Sequence, residues 1–137
     1  DDYYTIEIGK ARTVTEGEEL SIITYGAAVH WAVAECKKQN IDAEIVDLRT
    51  LLPWDKEAVE AAVKKTGRAL IVHEDTLTGG IGAEIAAWIS ENCFKHLDAP
   101  VMRVGSLDTA VPLAKDLEET FLAKKWLGDA LEKLRNF

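Results

Sequence analysis

Four short runs of this chain are almost wholly apolar, with no alternation of polar and apolar residues: LSIITY at 20–25, AEIVDL at 43–48, ALIVHE at 69–74 and VMRV at 101–104. A strand with one wet face repeats with a period of two, so continuous runs of this length demand cover on both faces. The cover lies between them. In AAVHWAVAECKKQN, Val29, Ala32, Val33 and Cys36 recur at i, i+3, i+4 and i+7, a helical period. Lys37 and Lys38 suit the negative end of that helix, and Asn40 is its stop. Asp55 is placed to cap KEAVEAAVKKT, whose inner stripe is Val59, Ala62 and Val63 and whose terminator is Gly67. Ile81, Ile85, Trp88 and Ile89 mark a third helix, DLEETFL a short one, and Trp126, Ala130, Leu131 and Leu134 the last. GSLDTAVPL at 105–113 reads as a loop. Strands alternating with helices, joined by right-handed crossovers, predict an α/β fold: a doubly wound, three-layer α/β/α sandwich.

The stretch ahead of the first run, YYTIEIGKARTVTEG, has extended character, with Ile6 and Ile8 alternating around Glu7. Residues 1–19 are therefore expected to be an extended lead-in, able to add an edge strand, and 20–137 the domain proper. The chain starts on Asp1 without a Met, which fits a piece of something longer. At 137 residues the chain suits one domain. It can bury roughly two-thirds of its unfolded surface without staples. A net charge of −8 would be repelled by a phosphate backbone or an anionic membrane surface, so neither nucleic acid nor membrane is an expected partner. No apolar run reaches bilayer length, and no secretory signal pattern is present. Cys36 and Cys93 sit among apolar helical neighbours without C-x-x-C spacing, as free buried thiols in a reducing compartment do.

The stretch VHEDTLTGGIGAEI at 72–85 invites a reading as a site. Its glycines are Gly79, Gly80 and Gly82, and the position three beyond Gly82 is Ile85, so the dinucleotide fingerprint G-x-G-x-x-G fails. A P-loop would need Lys followed by Ser or Thr, also absent. The glycines then supply unusual backbone angles and close helix packing, while the helix start remains able to receive a carboxylate from another chain. His73 ends a strand at the edge where α/β sheets collect ligands, with Glu74 beside it. Neighbours on a strand point to opposite faces, which sets a catalytic pairing against an interface or loop-anchoring role. His30 and His96 read as surface groups, Asp47 and Arg49 as a pair at a strand end, and Trp54 and Trp126 as packing groups near helix starts. The nucleophile elbow G-x-S-x-G is missing.

Taken together, DLRTLLPWD, TGRALIVHEDTLTGGIGAEIA, LDAPVMRVGSLDTAVP and KKWLGDALEKLRNF follow one another in an order that resembles a known family. It is the C-terminal, transketolase-like domain of the β subunit of thiamine-diphosphate-dependent 2-oxoacid dehydrogenases. In LPWD, HE…LTGG and a Trp-bearing final helix the chain resembles the branched-chain 2-oxoisovalerate enzyme more than the pyruvate enzyme. The resemblance covers nearly the whole chain and implies a five-stranded, mostly parallel sheet. It also implies that thiamine diphosphate and Mg²⁺ serve the parent enzyme without being bound here. The diphosphate motif G-D-G…N is absent, since Gly128-Asp129 falls inside a helix pattern. The parent enzyme decarboxylates a 2-oxoacid oxidatively and acylates lipoamide; this domain alone is expected to be inactive, with no catalytic, cofactor-binding or metal residue. Implied partners are the α part of the enzyme, a second β copy and the subunit-binding domain of a dihydrolipoyl acyltransferase, in a bacterial cytoplasm or a mitochondrial matrix. Contact or turn candidates are His73, Glu74, Thr78, Gly79, Gly80, Gly82, Glu84 and Trp88. Asp108, Glu132 and the Phe137 carboxylate are candidates for acyltransferase docking. Alternatives are the same domain from a pyruvate or acetoin dehydrogenase and a free-standing α/β nucleotide-binding enzyme. Ala110 and Ala123 stand where the family often has Pro, which is expected to loosen two loops.

Overall fold

A computed structural model describes residues 3–137; residues 1 and 2 of the expected lead-in lie outside them. Five strands, β1 (Arg12–Thr15), β2 (Leu20–Thr24), β3 (Ala43–Asp47), β4 (Ala69–Thr76) and β5 (Met102–Ser106), form one sheet in the order β1-β3-β2-β4-β5. All neighbours are parallel except β1, which runs antiparallel to β3 as the edge strand. The helices are α1 (Ala27–Gln39), α2 (Lys56–Thr66), α3 (Gly82–Asn92), α4 (Lys115–Phe121) and α5 (Lys124–Arg135), with a 3-10 turn at Phe94–His96.

The apolar runs are continuous because each strand feeds two cores. Ile22, Ile45, Leu70 and Val72 enter a core shared with Ala28, Ala32, Leu127, Leu131 and Leu134 of α1 and α5. The intervening Ile23, Val46 and Ile71 enter a second core with Val59, Val63, Ile85 and Ile89 of α2 and α3. Both cores are fully shielded from water at these strand positions. At about 25 cal/mol per Å² of apolar surface, this is the dominant stabilisation.

The punctuation falls where the residue types require. Asn40 and Gly67 close α1 and α2 in the left-handed conformation, with φ of 54° and 70°. Asp55 caps α2 by accepting from the Ala58 N–H. Its other oxygen accepts from the Ala11 N–H, 3.0 Å away, so one carboxylate starts a helix and pins the lead-in. The paired part of that lead-in is Arg12–Thr15; Ile6 and Ile8, whose alternation marked the segment as extended, stay exposed. Instead of a loop from Gly105 onwards, β5 runs through Ser106, because Ser106 still pairs with Thr76 across an irregularity in the ladder. Nor do Asp47 and Arg49 form an ion pair: the carboxylate accepts the Arg49 backbone N–H, and Arg49 takes a φ of 58°.

Replacing Asp55 by Ala removes a cap and the Ala11 tie together, so it is expected to cost about 2 kcal/mol. Asp55→Asn should recover only about half of it, since its single amide oxygen still caps Ala58 but its NH2 group cannot accept from the Ala11 N–H. Urea unfolding of the three proteins measures this; equal midpoints for Asp55→Ala and the parent would refute the double role.

Candidate functional site

At the carboxyl end of β4 the side chains part. His73 is wholly buried, whereas Glu74 and Asp75 are exposed. The imidazole lies on the α3 side of the sheet with Ile71, beneath the glycine turn. His73 and Glu74 therefore cannot act on one atom.

The backbone fixes the imidazole's tautomer. Nδ1 lies 3.0 Å from the Asp75 carbonyl oxygen, which can only accept, so Nδ1 carries the proton. Nε2 is then a lone pair, buried without a hydrogen-bond partner against the start of α3. Burial pushes the imidazole below its ordinary value, and Asp75 opposes this less strongly. Tyr25 stacks alongside, with ring centroids 6.2 Å apart.

The glycines are explained by the ring. A Cβ on Gly80 would sit 2.7 Å from His73 Cε1, and one on Gly82 would sit 2.6 Å from Cδ2 and closer still to Nε2. The space a phosphate cradle would keep open is filled by imidazole. Gly79 is needed for its backbone, at φ +79°, with nothing within 4 Å of its missing side chain. Thr78 completes the turn: its N–H and Oγ1 both donate to the Asp108 carboxylate, at 2.9 and 2.6 Å. Those bonds, the side-chain one first, hold the Asp108 carboxyl below the usual range.

Ser106, read as loop from the sequence, ties three elements together. Its buried Oγ donates to the Glu74 carbonyl at 2.6 Å and accepts from the Ala123 N–H at 3.0 Å. A proline at 123 would lack that donor, so Ala123 replaces the expected loop constraint with a hydrogen bond. Gly105 beside it admits no side chain, because a Cβ would stand 2.9 Å from Leu77 Cα. Nothing in the sequence pattern marks Ser106.

The remaining candidates fall on three separate faces. Glu84 is exposed in the first turn of α3, and Trp88, one turn on, meets Trp54 edge to face with ring centroids 5.0 Å apart. Lys56 Nζ lies 5.7 Å from both rings. The docking candidates do not share a surface. Asp108 is at the carboxyl end of the strands and already bonded to Thr78. Glu132 and Phe137 are at the other end, where the Arg135 carbonyl accepts from Arg68 and Phe137 lines a hollow with Ala99 and Pro100. Among the described residues, no three His, Cys, Asp or Glu side chains converge as a metal site. Cys36 and Cys93 are free and buried. Burial, then Glu35, pushes the Cys36 thiol up to about 11, so it is a packing group and no nucleophile.

A parallel, doubly covered sheet whose carboxyl edge is closed by a buried histidine and its own loops defines a class of α/β domain. The match is specific: residues 9–126 fit the family described as transketolase, C-terminal domain, and the chain belongs to that family. It is 47% identical over 116 residues to the 2-oxoisovalerate dehydrogenase subunit beta of Pseudomonas aeruginosa, covering 85% of this chain and 33% of that protein. It is equally, 47%, identical over 118 residues to the pyruvate dehydrogenase E1 component subunit beta of Bacillus subtilis, covering 84% and 36%. A solved structure titled as a split gene transketolase, inactive beta4 tetramer, superposes with a TM-score of 0.79 at 26% identity, over 97% of this chain and 43% of that one. The chain thus spans about a third of the length of the curated relatives it matches.

Gly82→Ala should destabilise the domain by about 2 kcal/mol, because the methyl group has no room beside a ring that cannot move. A thermal midpoint within a degree of the parent's would disprove the fit.

The pH dependence follows from the buried imidazole. Its folded pKa lies below the unfolded value of about 6.5, so the unfolded chain takes up the proton first. Stability is at its full value above that pH and falls as pH drops through it towards the folded pKa. Between pH 7.5 and 5.5 the parent should lose more stability than His73→Leu; equal losses in urea titrations would exclude His73 as the source.

Proposed function

We propose that this chain is the C-terminal assembly domain of the β part of a branched-chain 2-oxoacid dehydrogenase. The observation that carries it is the identity of nearly half the aligned residues with β subunits bearing that name. The equal identity to a pyruvate dehydrogenase β subunit supports a second reading, in which the parent enzyme takes pyruvate. In either, the parent enzyme decarboxylates a 2-oxoacid oxidatively and passes the acyl group to lipoamide. Its partners are an α part, a second β copy and a dihydrolipoyl acyltransferase, in the bacterial cytoplasm or mitochondrial matrix.

The domain's own share is structural. Thiamine diphosphate does not fit the residues present: the glycine turn that could have received its diphosphate is filled by His73, and Asp129 of the Gly-Asp pair lies within α5. No step is therefore assigned to a residue of this chain. Contact falls to the exposed groups Glu74 at the carboxyl edge, Glu84 on α3, and Glu132 and Phe137 at the opposite end, and to the half-buried Trp88 on α3. Trp88, Trp54 and Lys56 make a rigid aromatic patch of the kind that anchors interfaces. His73, Gly80 and Gly82 shape the surface from behind, and Asp108 is held at it by Thr78.

Sedimentation equilibrium of the chain should show concentration-dependent self-association. Calorimetric titration with thiamine diphosphate and Mg²⁺ should give no binding heat. A strict monomer at high concentration together with micromolar cofactor binding would overturn the reading.

A further inference from the structure

The carboxyl edge of the sheet carries a groove of ≈ 440 Å³ that no role above uses. Val111, Phe121 and Leu122 supply its apolar wall and Tyr25 its inner end; Glu74, Asp75 and Glu118 stand around it. No Lys or Arg lines it. Among the described residues, none of these three carboxylates has an ion-pair partner. The Tyr25 hydroxyl registers the surroundings, held above its ordinary value by burial, then by Asp75 and Glu74.

The apolar character continues outwards. Val111, at the rim of the groove, is 69% exposed; beyond it Leu113 is fully exposed and Leu117 59% exposed. Three large aliphatic side chains within seven residues, all facing water beside an apolar groove, exceed the scattered exposure normal for a folded domain. Helix α4, which carries Leu117 and Glu118, reaches the sheet through Phe121 alone of its buried residues. Its outer side sets Leu117 among the carboxylates Asp116, Glu118 and Glu119, with Lys115 at its start.

We propose that this groove and the adjoining outer face of α4 dock a basic segment of a partner subunit, in which Lys or Arg alternates with large apolar residues. Apolar side chains of the segment cover Val111, Leu113 and Leu117, and its cations meet Glu74, Asp75 and Glu118 where water is partly excluded. Charges so placed give orientation and rate of encounter, and the apolar cover gives the affinity. An acidic or neutral segment would leave three carboxylates desolvated without a counter-charge, which is unfavourable. The inference rests on the assembly reading at Glu74 and deepens it by fixing the chemistry of the partner; the site lies apart from the Trp54–Trp88 patch and from the Phe137 end.

The test uses a fluorescent hexapeptide of alternating Leu and Arg, titrated against this chain at physiological salt. Saturable binding is expected. The triple variant Glu74→Gln, Asp75→Asn, Glu118→Gln should weaken it about tenfold. The triple variant Glu18→Gln, Glu91→Gln, Asp129→Asn, which removes the same charge elsewhere, should leave it within about twofold. Val111→Ser, which changes no charge, should also weaken it, and both sets of exposed positions keep the fold intact by circular dichroism. Equal weakening by the two triple variants would reduce the effect to bulk attraction and overturn the proposal, as would absence of saturable binding or indifference to Val111→Ser. Self-association of the parent chain by sedimentation separates the two readings: absent peptide binding with association intact overturns this site alone, whereas absent association overturns the assembly reading.

Discussion

Strands β2, β3 and β4 are covered on both faces, and everything else in the domain follows from that. Because successive side chains point to opposite sides, Ile22 and Ile23, or Ile45 and Val46, serve different cores from adjacent positions. A polar residue in the middle of these strands would therefore be buried whichever way it faced. Of those that do occur, Ser21 donates to the Ala62 carbonyl and shares a hydrogen bond with Thr66, and Glu44 at the strand's amino end accepts from Lys65 and the Gly17 N–H, whereas Thr24 Oγ1 and His73 Nε2, at the carboxyl ends, are buried without a partner among the described residues. The helices on each side are fixed in turn, since an uncovered face would expose an apolar sheet.

Functional freedom is consequently confined to the ends of the strands. At the carboxyl end, where α/β sheets commonly hold ligands, the chain spends its special residues on closing the edge. His73 fills the turn from beneath, Asp108 binds it through Thr78, and Ser106 joins Glu74 to the start of α5. What remains accessible there is a surface of carboxylates and aliphatic groups, suited to contact with a protein and poor in the converging donors that small-molecule chemistry needs.

Much of this organisation was legible in the residues. Asn40, Asp55 and Gly67 end or begin helices because only such residues satisfy the backbone there, and local chemistry of that kind survives any tertiary context. The failure of Gly79, Gly80 and Gly82 to match a nucleotide motif was legible too. Their actual purpose was not, because it depends on a ring packed across the sheet end. Ser106 was hidden for a similar reason: a serine beside a glycine reads as a loop, and its partners, Glu74 and Ala123, are 32 and 17 positions away. The separation of Asp108 from Glu132 and Phe137 likewise depends on the direction of α5, which runs back from the carboxyl to the amino end of the sheet.

The sequence by itself determined the layered α/β architecture, the order of its main elements and the parallel centre, because apolar periodicity and capping act over a few residues; the family was carried by the resemblance of its longer motifs. Only the tertiary structure decided that His73 is a neutral wedge whose Nε2 faces the start of α3. It also decided that Glu74 faces outwards and that a groove of unpaired carboxylates opens beside exposed aliphatic side chains. These outcomes rest on which distant backbone carbonyl or helix start each side chain meets, and that is settled when the two cores close on the sheet.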